Sequence, residues 1–172
     1  MEESRMEMNY CVICGAPLKL RYHEHEGKDI PWCENCGEFR YPFFNCAVSM
    51  IVMNEEKDKV YLIKQYGKDS YVLVAGYVNL GEDAEDAAVR EVKEEMGLTV
   101  STLHFNRSRY YPRTNTLMLN YTVTVKEHEP SPNWEIDSWK CFSIPEARAS
   151  IRPGSLAQSF LNGYLDGEYS FT

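Results

Sequence analysis

Four of the six cysteines form two identical pairs, Cys11-x2-Cys14 and Cys33-x2-Cys36, and each pair runs directly into a glycine, Gly15 or Gly37. Two thiolates three residues apart can grip one tetrahedral ion if the chain turns tightly behind them, and glycine permits that turn. Two such knuckles, separated by an eighteen-residue hairpin, close a four-cysteine shell. With all four positions taken by thiolates the ion is structural Zn²⁺, with no open position for catalysis. A disulfide framework would call for an export signal, and the N-terminal MEESRMEMNY is acidic with no apolar core. His23 and His25 lie between the knuckles and read as exposed hairpin residues, because the ligand count is already met. Of the remaining thiols, Cys46 sits in an apolar run and reads as a buried small hydrophobe, and Cys141 carries no assigned role.

Charge and length narrow the partners. The 172 residues suffice for one ordinary globular domain plus a small appendage, and a net charge of −8 argues against bulk electrostatic binding to nucleic acid or anionic membrane. The longest stretch free of charge, Tyr41–Asn54, is short of the ~20 residues of a membrane span. The expectation is a cytoplasmic protein with no membrane partner.

The composition changes at Tyr41-Pro42, which predicts a zinc ribbon over 1–42 and a second domain over 43–172. Beyond that junction, Ala47–Met53 and Val60–Gln65 read as strands around the polar turn NEEKDK, and Ser70–Ala75 is a third apolar run. Asp83–Met96 has helical spacing, with Ala84, Ala87, Ala88, Val92 and Met96 in one stripe and Gly97 placed to stop it. Strand-like segments follow at Val100–Phe105, Thr116–Val125 and Trp139–Phe142, and a second amphipathic helix at Gly154–Leu165 carries Leu156, Phe160, Leu161 and Tyr164. This order predicts an α/β (α+β) architecture, a mixed sheet packed between helices.

The segment GYVNLGEDAEDAAVREVKEEMGL, Gly76–Leu98, concentrates the chemistry. Between Glu82 and Glu95 it holds seven acidic and two basic side chains. A charge run alone is a solvated helix face. Here Glu91, Glu94 and Glu95 stand at i, i+3 and i+4, so three carboxylates share one face and repel one another. A divalent cation turns that repulsion into binding, and hard oxygen ligands favour Mg²⁺ or Mn²⁺.

These residues also spell a known signature. The pattern G-x5-E-x7-R-E-U-x-E-E-x-G-U, with U aliphatic, is met by Gly76, Glu82, Arg90, Glu91, Val92, Glu94, Glu95, Gly97 and Leu98. The chain therefore resembles the Nudix hydrolases, which cleave a nucleoside diphosphate linked to another moiety. The resemblance implies a Nudix α/β/α sandwich in which Glu91, Glu94 and Glu95 hold the catalytic metals, with the Ala75 carbonyl as a further ligand. It also implies that Glu82 and Arg90 pair to fix the loop–helix–loop, with Gly76 and Gly97 as structural positions. A diphosphate is repelled by such a helix unless cations bridge the two, so the implied reaction is metal-dependent hydrolysis of a phosphoanhydride.

A four-cysteine ribbon joined through Tyr41-Pro42 to a Nudix domain is similar to the NADH pyrophosphatase subfamily. That subfamily carries S-Q-P-W-P-F-P-x-S, and the corresponding stretch here runs from Ser108 to Thr116. Ser108 and Pro112 are kept, Tyr111 and Thr116 replace tryptophan and serine, and Arg109 and Arg113 stand for glutamine and phenylalanine. By the same resemblance Glu135 is a further metal ligand or base, Tyr77 stacks on a base, and Ala157, in Arg152-Pro153-Gly154-Ser155-Leu156-Ala157, approaches the nucleotide. Tyr41 matches a tyrosine that reaches the partner's site in a homodimer. Arg109 and Arg113 could clamp phosphate or simply solvate the surface, and Tyr77 and Tyr111 could be packing aromatics. His104 and His128 have no constellation around them. The implied activity is hydrolysis of NAD(H)-like dinucleotides to NMN(H) and AMP. ADP-ribose, dinucleoside polyphosphates, nucleotide sugars and NAD-capped RNA stay open as substrates. So does a non-enzymatic nucleotide sensor, although the intact set of carboxylates favours an enzyme.

Overall fold

The apolar run at 45–54 has no polar face to turn to water, which requires a strand covered on both sides. In the computed structural model, which describes residues 8–126 and 129–169, eight of the ten residues of that run are buried. His128 lies outside the described residues, as do residues 1–7, on which part of the N-terminal reading falls. The chain divides into two compact units between Phe44 and Asn45.

The first unit is an antiparallel three-stranded ribbon, β1 (Lys19–His23), β2 (Lys28–Cys33) and β3 (Glu38–Phe39). Its two knuckles are near copies. The Gly15 N–H donates to the Cys11 carbonyl at 2.8 Å and the Gly37 N–H to the Cys33 carbonyl at 2.9 Å. Both glycines are left-handed, with φ of 74° and 68°. Between the knuckles, His23 packs edge-on against Phe39, with centroids 4.5 Å apart, and His25 is exposed.

The second unit is built on the mixed sheet that the order of elements predicted. Its strands are β4 (Asn45–Asn54), β5 (Lys59–Gln65), β6 (Val74–Tyr77), β7 (Val100–Tyr111), β8 (Thr116–Val125) and β9 (Ile136–Ser143), arranged β7-β8-β4-β5-β9 with β6 also on β4. The β4–β8 pair is parallel and every other pair antiparallel. One edge of β4 is divided. β6 pairs with Ala47–Met50, and β5 pairs with Val52 and Met53.

Strand alternation distributes the apolar residues to the two faces. Val48, Met50, Val52, Tyr61, Ile63, Tyr121 and Val123 form one cluster with Ala87, Ala88, Val92 and Met96 of α1 (Ala84–Met96). Ile51, Met53, Val60 and Leu62 form the other with Ala147 of α2 (Ile144–Ser150) and Phe160 and Leu161 of α3 (Leu156–Leu165). This is the α/β/α sandwich. Each fully buried aliphatic or aromatic side chain stabilises it by about 1.5–3 kcal/mol relative to exposure.

Several boundaries moved, each for a local reason. The apolar run at 70–75 pairs only from Val74, while Tyr71 and Val72 make single bridges to Ile151 and Ile63. β7 continues to Tyr111 because a bulge between Phe105 and Arg107 turns Asn106 inward. There Asn106 is buried and donates to Asn120 at 2.8 Å and Thr122 at 2.9 Å. α2 is too short to show a period, yet it carries its own signal, Ser143 three residues before Glu146. The Ser143 N–H donates to the Glu146 carboxylate at 3.0 Å. Cys46 is half-buried rather than buried, because it lies at the ragged first turnout of β4 where the pattern is still exposed. No helix among the described residues is long and apolar enough to cross a membrane.

Candidate functional site

Helix α1 places its chemistry by spacing. Ala88, Val92 and Glu95 follow one another down the buried stripe, so Glu95 enters the sheet-facing side with its hydrophobic neighbours and is 4% exposed. Glu94, one residue earlier, is exposed, and Glu91 lies between the two extremes. Arg90 organises this end of the helix. Its guanidinium donates to both oxygens of Glu82, at 2.7 and 3.0 Å, and to the Tyr77 carbonyl at 3.0 Å. It also reaches Glu91 at 2.7 Å and Glu94 at 3.0 Å. The Asn79 N–H donates to Glu82 at 2.9 Å. These bonds to its charged form, the Arg90 one first, hold the Glu82 carboxyl down at about 2. The paired Glu82 and Arg90 thus tie the loop 77–82 to the helix.

Gly76 and Gly97 are places where another chain segment comes too close for a side chain. A Cβ at Gly76 would overlap the Glu91 carboxyl. Gly97 ends α1 in the left-handed region, φ 70°, its N–H donating to the Lys93 carbonyl at 3.0 Å. A Cβ there would meet the Ser131 carbonyl at 2.8 Å. That second contact matters for the site. The loop after β8 crosses the end of α1, with Ser131 N–H bonded to the Met96 carbonyl at 2.8 Å and Asn133 N–H to the Glu95 carbonyl at 3.1 Å. Glu135 follows directly, its N–H held by the Asn133 side chain at 2.9 Å.

The result is a cleft of about 460 Å³ lined by Glu91, Glu94, Glu95 and Glu135 together with Ala75, Gly76, Tyr77 and Thr116. Glu95 Oε2 is buried there with no hydrogen-bond partner among the described residues. Burial first, then the negative charges of Glu91, Glu135 and Glu94, push its carboxyl up to about 8. An orphaned carboxyl oxygen in a cleft lined by three further carboxylates offers oxygen ligands of the kind a hard divalent cation takes. Tyr66, at the end of β5, was not singled out by any sequence motif. It adopts a left-handed backbone, φ 55°, and its hydroxyl donates to Glu135 at 2.8 Å. Next to it the Gly67 N–H donates to Asp137 at 2.7 Å, so the β5–β6 connection is fastened to the start of β9.

Of the remaining sequence candidates, Tyr111 and Ala157 line a neighbouring cavity. Arg109 and Arg113 line neither cavity and are exposed. Arg109 follows Arg107 along β7, and the positive charge of both acts on the Tyr169 ring hydroxyl. Tyr41 belongs to the ribbon unit and is exposed. His104 is exposed on β7.

The ribbon holds a second donor set. The sulfurs of Cys11, Cys14, Cys33 and Cys36 all lie within 4.8 Å of one another, with Cys14–Cys33 at 3.5 Å and Cys11–Cys36 at 3.9 Å. A tetrahedral ion with ~2.3 Å metal–sulfur bonds requires sulfurs about 3.8 Å apart, so the cluster fits such an ion. Arg40 Nε donates to Cys11 Sγ at 3.1 Å, placing a positive charge beside the four sulfurs. Neither His23 nor His25 joins the cluster.

Comparison with known proteins agrees with this geometry. A protein of Pseudomonas aeruginosa named NAD-capped RNA hydrolase NudC is 30% identical over 159 residues, covering 91% of this chain and 55% of that protein. Its namesake in Stutzerimonas stutzeri is 30% identical over 160 residues, with the same coverage. The chain thus spans about half the length of these curated relatives. Among solved structures, a NUDIX hydrolase from Nitrosomonas europaea superposes with a TM-score of 0.67 over 96% of this chain and 97% of its own, at 20% identity, which shows a shared fold. The family profile described as NUDIX domain matches residues 44–160, well over half of the sequence and all of the carboxylate cleft, and the chain belongs to the Nudix family.

Proposed function

We propose that the protein is a metal-dependent pyrophosphatase that hydrolyses the diphosphate linkage of NAD(H)-like dinucleotides to NMN(H) and AMP. The observation that carries this reading is the meeting of Glu91, Glu94, Glu95 and Glu135 in one cleft, with a buried Glu95 oxygen lacking a hydrogen-bond partner among the described residues. Glu91, Glu94, Glu95, Glu135 and the Ala75 carbonyl would hold Mg²⁺ or Mn²⁺. Bound there, the cations supply charge neutralisation of the phosphoryl oxygens and acidify water.

The protein's own residues do the rest. Arg90 holds Glu91 and Glu94 in register while its bonds to Glu82 and the Tyr77 carbonyl keep the substrate-side loop from spreading. Tyr66 orients Glu135 through one carboxylate oxygen, and the other would serve as ligand or proton acceptor. Tyr77, 57% exposed on the cleft wall, offers a ring face to a base. Tyr111, Thr116 and Ala157 would contact the remainder of the substrate. Arg109 and Arg113 would engage only parts of a substrate that extend past the two cavities.

A second reading is favoured by the relatives, whose names specify NAD-capped RNA. The bond cleaved is the same, on a polymer. For the ribbon we propose a structural Zn²⁺ on Cys11, Cys14, Cys33 and Cys36, and by resemblance to the subfamily a homodimer in which Tyr41 reaches the partner's site, in the cytoplasm. The test is a panel of NADH, NAD⁺, NAD-capped RNA, ADP-ribose, diadenosine polyphosphates and nucleotide sugars with Mg²⁺ or Mn²⁺, products being separated by chromatography. Release of NMN(H) and AMP in preference to other products supports the reading. A preference for another diphosphate refutes the dinucleotide assignment, and silence across the panel refutes the enzyme.

A further inference from the structure

Beside the carboxylate cleft lies a second cavity, of about 330 Å³, and the two share Gln65, Ala75, Thr114 and Met118 as a common wall. Their chemistry is opposite. The first is lined by four carboxylates, whereas the second has no acid in its lining and two cations, Lys68 and Arg152. Neither cation forms an ion pair among the described residues. In a chain of net charge −8, two unpaired cations on one cavity are a local reversal of sign. The rest of the lining suits a nucleoside, with the half-buried Tyr111 as aromatic surface and Ser70 and Ser155 as hydroxyls. Helix α3 begins at this wall and adds the positive end of its dipole.

A separate observation points to a ligand. Gln65 Oε1 is enclosed yet has no hydrogen-bond partner among the described residues. Gln65 stands on the shared wall, where a bound molecule spanning both cavities would pass it. A buried amide oxygen without a donor is a cost that a ribose hydroxyl would remove. The diphosphate itself belongs with cations at the carboxylates, so an anion seated at Lys68 and Arg152 is a different group on the same substrate.

We propose that the second cavity receives a nucleoside bearing a phosphate additional to the diphosphate that is cleaved, with Lys68 and Arg152 contacting that phosphate and Gln65 a ribose hydroxyl. The substrate class is then a ribose-phosphorylated dinucleotide. This rests on the reading of the neighbouring cleft as a diphosphate site. The same chemistry arises from a 2′-phosphate or from a 3′-phosphate that continues into a chain, and the experiment separates them.

The test has a binding arm and a turnover arm. Without added divalent cation, calorimetric titration compares adenosine 2′,5′-bisphosphate, adenosine 3′,5′-bisphosphate and 5′-AMP. One bisphosphate is expected to bind about tenfold or more tightly than AMP, the scale of one charge-assisted phosphate contact. Lys68→Ala and Arg152→Ala should each erode that advantage, and Arg152→Lys should keep most of it. A 2′ preference assigns a 2′-phosphorylated dinucleotide, and a 3′ preference a 3′-extended one. Equal affinity for all three nucleotides, or an advantage that survives both alanine variants, overturns the proposal. In the turnover arm, the kcat/KM ratio of NADPH to NADH should fall in Arg152→Ala if the 2′ group is read. Cleavage of dinucleotides with no bisphosphate preference sinks this inference and leaves the reading of the cleft standing. A bisphosphate preference with no cleavage of any diphosphate sinks the reading of the cleft, and with it the dinucleotide class, while the phosphate contact stands.

Discussion

The two units of this chain are held together by different physics. Ribbon residues 8–44 contain one buried aliphatic side chain, Ile30, and two buried thiols, Cys11 and Cys33. The Nudix unit has an apolar cluster on each face of a six-stranded sheet. Its core repays chain entropy by area removed from water, whereas the ribbon has too little such area, and the proposed metal–thiolate bonds would supply the difference. The lesson is that cations serve opposite ends in the two units. On the proposed reading a metal makes the fold in the ribbon, whereas in the cleft the fold makes a metal site around a buried carboxyl oxygen that no described residue satisfies.

That contrast can be broken most directly at the ribbon. Stripping zinc under reducing conditions, or Cys33→Ser, should collapse the amide dispersion of the ribbon while the Nudix unit keeps its own, since a structural zinc site contributes on the order of 10–16 kcal/mol. A dispersed ribbon spectrum in zinc-free protein would end the metal-made reading. At the cleft the expected pattern reverses. Glu94→Gln or Glu95→Gln should lower turnover roughly 10²–10³-fold, the scale of losing one electrostatic stabiliser, with melting little changed. For Glu95→Gln, melting of the metal-free protein at pH 9 should rise, because an uncharged amide replaces a carboxylate whose ionisation is opposed by burial. Wild-type turnover in both variants would remove the carboxylate mechanism.

A core substitution sharpens the same comparison. Leu161→Ala should cost about 2–5 kcal/mol in denaturant unfolding of the Nudix unit and leave zinc content unchanged. The smallest effect concerns Glu82. Its folded carboxyl titrates near 2, below the ordinary 4.5, so its pairing with Arg90 is present above about pH 4.5 and is lost as pH falls toward 2. Acid titration of stability should show this loss in the wild type and a shallower slope in Glu82→Gln. Identical slopes would mean that the pair does not hold the loop.

What could be read from residues alone followed the range of each interaction. The α1 stripe, its Gly97 stop and the three glutamates on one face depend on spacings of three and four, and the structure keeps them. The cysteine knuckles repeat within four residues and likewise survive. The α2 helix is legible through Ser143 and Glu146 but not through periodicity, because the segment is too short to show one. The bulge at Asn106 was not within reach. It depends on Asn120 and Thr122 across the sheet, and nothing near Asn106 announces them.

The sequence by itself determined that the chain carries a four-thiolate cluster and a Nudix carboxylate helix, because both are written in local spacing that backbone geometry converts directly into shared faces. Only the tertiary structure decided which further residues join them. Glu135 lines the same cleft as Glu95 because the loop after β8 is bonded across the end of α1, and Tyr66 reaches Glu135 because β5 and β9 are paired. Arg109 fell outside both cavities while Lys68 and Arg152 fell on one. Such meetings are set by strand register and loop closure over tens of residues, and one residue of slip would send each side chain to the opposite face.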